Sequence, residues 1–126
     1  MSTILIVEDN EKNMKLVRDI LQHKGHTTLE AATGGDGVRL ALEHRPDLIL
    51  MDIQLPDIDG IAALQLIRND AALDATPILA VSASVMPDDQ HKIVTSGFDA
   101  FITKPINLKQ FLAAVQRFLA EGRQRA

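Results

Sequence analysis

Four polar stretches in this chain each follow directly on a short apolar run, and their residue types suit one kind of chemistry. Glu8-Asp9 follows Ile4-Leu5-Ile6-Val7, and Asp52 follows Leu48-Ile49-Leu50-Met51. Ser82-Ala83 follows Ile78-Leu79-Ala80-Val81, and Lys104-Pro105 follows Ala100-Phe101-Ile102-Thr103. Carboxylates brought together repel one another, and a hard divalent cation relieves that repulsion. Mg2+ suits one or two carboxylates completed by waters and phosphate oxygens. A phosphoryl group on Asp52 would need its charge offset by such a metal, by the Lys104 ammonium and by a hydroxyl donor such as Ser82.

Taken singly, each stretch has an ordinary reading. An acidic pair favours the first turn of a helix through the macrodipole. An aspartate after an apolar run can simply open a loop. A small hydroxyl at a strand end usually bonds nearby backbone. A lysine before proline is commonly a solvated side chain on a trans peptide. The four stretches carry meaning together, and only if the fold brings them to one rim.

The elements that would do so are legible. Apolar runs at 3–7, 27–31, 48–51, 78–81 and 100–103 alternate with helical patterns. Four of the runs lack polar alternation, as strands buried on both faces of a parallel sheet do. The run at 27–31 alternates and suits an edge. The first helical pattern carries Met14, Val17 and Leu21 on one stripe, widened by Leu16 and Ile20, with Gly25 just past its end. The second covers 36–44 and stops before Pro46. The third opens at Asp59 as N-cap and carries Ile61, Leu64 and Ile67. The fourth opens near Pro87 and ends before Gly97. The last opens at Asn107, with Gln110 placed for a capping box and Leu108, Phe111, Leu112, Val115, Phe118 and Leu119 on its apolar face.

This order predicts an α/β fold, a five-stranded parallel sheet flanked by five helices with right-handed crossovers. Ligands of such sheets bind at the carboxyl ends of the strands, near the point where strand order reverses. All four polar stretches fall at those ends.

Composition narrows the function classes. The 126 residues are 46% hydrophobic and 24% charged, enough for one ordered domain, here expected over 1–121 with a disordered polar tail at 122–126. The absence of cysteine excludes disulfides and thiolate zinc sites. No apolar run is long enough to span a bilayer, and no basic segment precedes the first apolar run. Neither membrane insertion nor a secretory signal is expected, and the expected location is cytoplasmic. A net charge of -4, with neither Trp nor Tyr, argues against a nucleic-acid-binding surface.

Ile4-Leu5-Ile6-Val7-Glu8-Asp9-Asn10, Pro46-Asp47-Leu48-Ile49-Leu50-Met51-Asp52 with Leu55-Pro56 and Asp59-Gly60, Val81-Ser82-Ala83 and Ile102-Thr103-Lys104-Pro105 together resemble the receiver domain of two-component response regulators. The resemblance covers about 3–119, nearly the whole chain. Within that family, Glu8-Asp9-Asn10 with Asn13-Met14, and Met51-Asp52-Ile53-Gln54-Leu55-Pro56, are similar to a single-domain cell-cycle regulator and to receivers attached to hybrid histidine kinases.

The resemblance implies a (βα)5 flavodoxin-like fold in a bacterial phosphorelay, with Asp52 as phospho-acceptor. Glu8 and Asp9 would hold Mg2+, with Mn2+ as a second candidate, together with Asp52 and the backbone carbonyl of Gln54. Ser82 would bond the phosphoryl group. Lys104 would pair with it, aimed by a cis Lys104–Pro105 peptide, and Phe101 would occupy the aromatic switch position. The implied donor is phospho-His on a histidine kinase or phosphotransfer protein. The output would pass to a downstream protein through the helix after Pro87, the last strand and the last helix, with Val85, Met86 and Ile93 as candidate contacts. Such a receiver takes part in its own phosphorylation and dephosphorylation and is not a dedicated enzyme.

Two positions depart from the common pattern of the family. Many members carry Thr where Ser82 stands; Ser keeps the hydroxyl but loses the methyl and its χ1 stiffness. Many carry Tyr where Phe101 stands, so any switch here works by ring packing alone, and an ordinary half-buried aromatic is the competing reading.

Rival classes fit less well. A Mg2+-dependent aspartyl-phosphate phosphohydrolase would carry a second Asp two residues after the nucleophile, where Gln54 stands. A flavin or nucleotide carrier would need a phosphate-cradling loop, and no Lys-Ser/Thr follows Gly34-Gly35-Asp36-Gly37. Those glycines are expected to turn the chain into the second helix. Asp57, Asp59 and Gly60 lack the spacing of a calcium loop. His23, His26, His44 and His91 share no metal-ligand spacing and are expected at the surface. A receiver segment of a hybrid histidine kinase remains an alternative.

Overall fold

The computed structural model describes residues 2–82 and 95–122. Its strands are β1 (Thr3–Val7), β2 (Thr27–Ala31), β3 (Leu48–Asp52), β4 (Ile78–Ser82) and β5 (Ala100–Thr103). Its helices are α1 (Glu11–His23), α2 (Gly34–His44), α3 (Gly60–Arg68) and α4 (Leu108–Glu121), with a 3-10 turn at Ala71–Leu73. The sheet order is β2-β1-β3-β4-β5, and every neighbouring pair is parallel.

The two-residue period of the strands sorts their side chains into two cores. Leu5, Val7, Ile49, Met51, Ile78 and Ala80 pack with Ala41 of α2 and Ala63, Leu64 and Ile67 of α3. Ile4, Ile6, Leu48, Leu50, Leu79 and Val81 pack with Met14, Val17 and Leu21 of α1 and with Phe111, Val115 and Phe118 of α4. With both faces covered, β1, β3 and β4 have no place for a polar side chain until the strand ends. Their first charged or hydroxyl groups therefore stand on one rim.

The connection from β1 runs outward to β2 and then returns across β1 to β3. Strand order reverses between β1 and β3, and the loops leaving those two strands diverge and open a crevice. Each helix is stopped at its N-terminus by a side-chain cap. Asn10, Thr33, Asp59 and Asn107 accept from the amides of Asn13, Asp36, Ala62 and Gln110.

Several expectations change. The described residues contain four α-helices; most of the helix expected between Pro87 and Gly97 falls on 87–94, outside them, as do Ala83, Val85, Met86, His91 and Ile93. The second helix begins two residues earlier than its apolar pattern, because Thr33 caps it. The strand β5 is half-buried and forms the second sheet edge, since nothing pairs beyond it. Leu16 and Leu108 are 45% and 55% exposed, since α1 and α4 turn narrower faces to the sheet than their patterns allow. His26 is half-buried, and its Nδ1 accepts from the Ser2 amide at 3.4 Å. Among the described residues, no helix is long and apolar enough to cross a membrane.

Candidate functional site

The rim above β1, β3 and β5 gathers Glu8, Asp9, Asp52 and Lys104. Glu8 follows β1 directly, and its amide still bonds across the sheet to the Ala31 carbonyl at 2.9 Å. That bond fixes where the chain leaves the strand. Asp9 comes next, and Asn10 then caps α1. The acidic pair thus precedes the helix and sits at the strand end.

Asp52 is the last residue of β3 and is 4% exposed; Glu8 is 6% exposed. Two buried carboxylates need donors, and each finds a local amide and a shared cation. Glu8 Oε2 accepts from the Asn10 amide at 3.2 Å, and Asp52 Oδ1 accepts from the Gln54 amide at 3.0 Å. Lys104 Nζ lies 2.7 Å from Glu8 Oε1 and 3.1 Å from Asp52 Oδ2. Its backbone amide donates to the Ser82 carbonyl at 2.7 Å, which joins the ends of β4 and β5. The Lys104–Pro105 peptide is cis. The side chain of Lys104 is only 14% exposed, so it is no solvated rim lysine.

The carboxylates outnumber the ammonium, and the protonation balance shows it. Burial pushes the Glu8 carboxyl up to about 7, and its hydrogen bond with Asp52 adds to that, against the opposing pull of Lys104 and the Asn10 amide. Burial alone would lower the Lys104 ammonium, but its bonds to Glu8 and Asp52 and their charges raise it.

Oxygens of Glu8, Asp9 and Asp52 all come within 4.8 Å of one another. This all-oxygen set, short of positive charge, fits a hard divalent cation and suits neither zinc nor copper. Asp9 is exposed and gives the cluster its opening. The cleft above it has a volume of about 530 Å3 and is walled by Asn13 and Pro56, with Lys104 at its edge. Gln54 lies in the same wall, on the loop that leaves Asp52. That loop turns tightly into α3. A Cβ on Gly60 would stand 2.7 Å from the Asp52 carbonyl oxygen, so only glycine fits there.

Ser82 closes β4 and is buried beside the cluster at 5% exposure. Phe101 is half-buried and packs against the core beneath α2 and α3.

Most of the chain matches one family model. A response regulator receiver domain model aligns with residues 4–116. The chain belongs to this receiver family. This receiver is 41% identical over 120 residues to the polar-differentiation response regulator DivK of Brucella anthropi, covering 95% of this chain and 98% of that protein. It is 40% identical to DivK of Brucella ovis, with the same coverage. Among solved structures, it is similar to the receiver domain of the sensor histidine kinase PA1611 from Pseudomonas aeruginosa, with a TM-score of 0.89 and 31% identity over 95% of this chain and 98% of that one. That structure has a magnesium ion coordinated in its active-site cleft. A response regulator from Chloroflexus aurantiacus shares the fold with a TM-score of 0.90 at 24% identity, covering 95% of this chain and 98% of that one.

Some features of this receiver have no signal in sequence pattern. Asp57 holds the first amides of α2 from 23 residues away, and Arg68 pairs with Asp99 from 31 residues away. Only the folded chain brings these groups together.

Proposed function

We propose that this receiver accepts a phosphoryl group on Asp52 from phospho-His of a histidine kinase or phosphotransfer protein. It then signals through phosphorylation-dependent contacts with a downstream protein. The observation that carries the reading is the Lys104 ammonium bridging Glu8 and Asp52 in the lining of an open cleft that the exposed Asp9 also lines. The proposed setting is the cytoplasm.

Asp52 is held for attack from both sides. The Gln54 amide fixes Oδ1, and Lys104 fixes Oδ2. A carboxylate oxygen attacks phosphorus as the P–N bond to the donor imidazole breaks; the electron pair leaves on the imidazole nitrogen, which takes up a proton. Positioning and charge neutralisation carry most of such a transfer. Glu8, Asp9, Asp52 and the Gln54 carbonyl would hold Mg2+, which would supply positive charge against the phosphoryl oxygens. Lys104 moves from bridging two carboxylates to pairing with the new phosphoryl group. Ser82 donates its hydroxyl to the same group, and the space it vacates lets the Phe101 ring repack.

Incubation with a small phosphoryl donor and Mg2+, followed by intact-chain mass measurement, tests the reading. One phosphate should add to the wild type and none to Asp52→Asn. An undiminished adduct on Asp52→Asn removes Asp52 as acceptor, and donor turnover without any adduct favours the phosphohydrolase.

A further inference from the structure

The glycine pair that opens α2 holds a carboxylate from another loop. Asp57 Oδ1 accepts from the Gly34 amide at 2.8 Å, and Oδ2 accepts from the Gly35 amide at 2.8 Å. Thr33 Oγ1 accepts from Asp36 at 3.1 Å, and the Thr33 carbonyl accepts from Gly37 at 3.0 Å. All four amides at the start of the helix are therefore satisfied, two of them by a group outside α2. These bonds to Gly35 and Gly34 hold the Asp57 carboxyl below its usual range. Both glycines leave little room for a side chain. A Cβ on Gly34 would overlap Ile58, and one on Gly35 would press on Asp57 Oδ2 at 3.2 Å.

The segment fastened in this way is the loop of the acceptor site. It leaves Asp52, carries Gln54 and enters α3 at Gly60. Near its start the Gln54 amide bonds to Asp52, and at its end the Gly60 amide bonds back to the Ile53 carbonyl at 2.9 Å. Both fastenings are internal to the segment, and the Ile53 amide bonds its start to the Val81 carbonyl of β4 at 3.2 Å. Asp57 ties it to a separate element, and the bidentate geometry fixes direction as well as distance.

We propose that Asp57 is a positioning residue for the metal-binding loop. Its carboxylate locks the loop onto α2 and so sets the Gln54 carbonyl relative to the carboxylates of Glu8, Asp9 and Asp52. This inference rests on the receiver reading of the site. Coupling of this kind is reciprocal: if fastening the loop favours Mg2+, then Mg2+ fastens the loop onto α2.

The test titrates the full chain with Mg2+, following amide resonances, in the wild type, Asp57→Ala and Gly35→Ala. The last variant disturbs the clamp from the α2 side and leaves every loop residue unchanged in identity. Asp57→Ala should weaken Mg2+ by about tenfold, the lower end for lost outer-shell support. Gly35→Ala should weaken it in the same direction, and the double variant should lose little more than the worse single one. Mg2+ should slow hydrogen exchange at the Gly34 amide in the wild type and not in Asp57→Ala. If Asp57→Ala does not fold, Asp57→Asn, which keeps the volume and one acceptor oxygen, is judged by the same criteria. Mg2+ affinity equal to wild type in a folded Asp57 variant overturns the inference alone. A wild type that binds no Mg2+ overturns the metal-site reading and this inference with it.

Discussion

Lys104 sits closer to Glu8 than to Asp52, at 2.7 Å against 3.1 Å. The lysine is therefore a bridge between two buried carboxylates. The proposed phosphoryl acceptor, Asp52, is the more distant of the two.

The first prediction concerns that bridge. Removing one member of a buried ion cluster leaves the others uncompensated, which is far costlier than losing a surface pair. Protonation of Glu8 limits the damage. Lys104→Ala should cost about 2 kcal/mol in Mg2+-free buffer, below the full range for a broken buried pair. Mg2+ should stabilise the variant more than the wild type, because the carboxylates then lack any other cation. Urea denaturation with and without Mg2+ reads both effects, and equal stability of the two proteins in the absence of Mg2+ would show that the bridge contributes nothing.

The raised Glu8 carboxyl sets a pH dependence. Its folded value is about 7 against an ordinary 4.5, so between these values the folded chain holds a proton that the unfolded chain has released. The Glu8 contribution to Mg2+-free stability is fully present below about pH 4.5 and is lost as pH rises through about 7. A cation must displace that proton. Mg2+ affinity should therefore fall as pH drops from 8 to 6, with proton release at pH 6 that vanishes at pH 8 and in Glu8→Gln. Calorimetric titration in buffers of different ionisation enthalpy measures the release. A proton count of zero at pH 6 would place the Glu8 carboxyl in its ordinary range.

Much of this could be read from sequence, for a physical reason. Both faces of β1, β3 and β4 are covered, so their apolar runs are unbroken and Glu8, Asp52 and Ser82 mark where those runs end. Local rules also placed Asp59 and Asn107 as caps. What escaped depends on contacts distant in the chain. The short pattern of β5 looks like a buried strand, and only the sheet order makes it an edge. The apolar Leu108 fits a helical stripe, but at the first turn of α4 it is left largely exposed. The burial of Lys104 comes from Glu8, nearly a hundred positions away, so no window along the chain distinguishes it from a solvated lysine.

Gly60 yields a prediction that separates backbone from side chain. An added Cβ would stand 2.7 Å from the Asp52 carbonyl oxygen and 2.9 Å from the Ile53 Cα, and neither atom can rotate away as a side chain can. Gly60→Ala should cost about 2 kcal/mol through overpacking. It should also slow phosphorylation by a small donor, because the shift falls on the backbone of Asp52, the proposed acceptor. Thermal melts and adduct formation over time, measured on the same sample, check the pair of effects. Wild-type stability would mean the loop has room that the geometry denies.

The opposite end of the sheet offers the contrasting case. Arg68 Nη2 lies 3.0 Å from Asp99 Oδ2, with the side chains 14% and 3% exposed. Arg68 Nη1 also donates to the carbonyls of Leu73 and Thr76, each at 2.8 Å. Asp99 Oδ2 accepts from the Ile78 amide at 2.8 Å, where β4 begins. This cluster joins α3, the turn after it and the entry to β4, a strand's length from Ser82. Asp99→Ala leaves a buried guanidinium without its carboxylate and should cost about 3 kcal/mol. At this chain length that corresponds to a fall in Tm of about 10 °C. Because the loss lies at the far end of the strands, the folded variant should bind Mg2+ and take phosphate on Asp52 as the wild type does. Melting curves and Mg2+ titration below the lowered Tm test both halves. A variant that melts early and also loses Mg2+ affinity would show that the two ends of β4 are coupled, and the acceptor site would then extend to the base of the sheet.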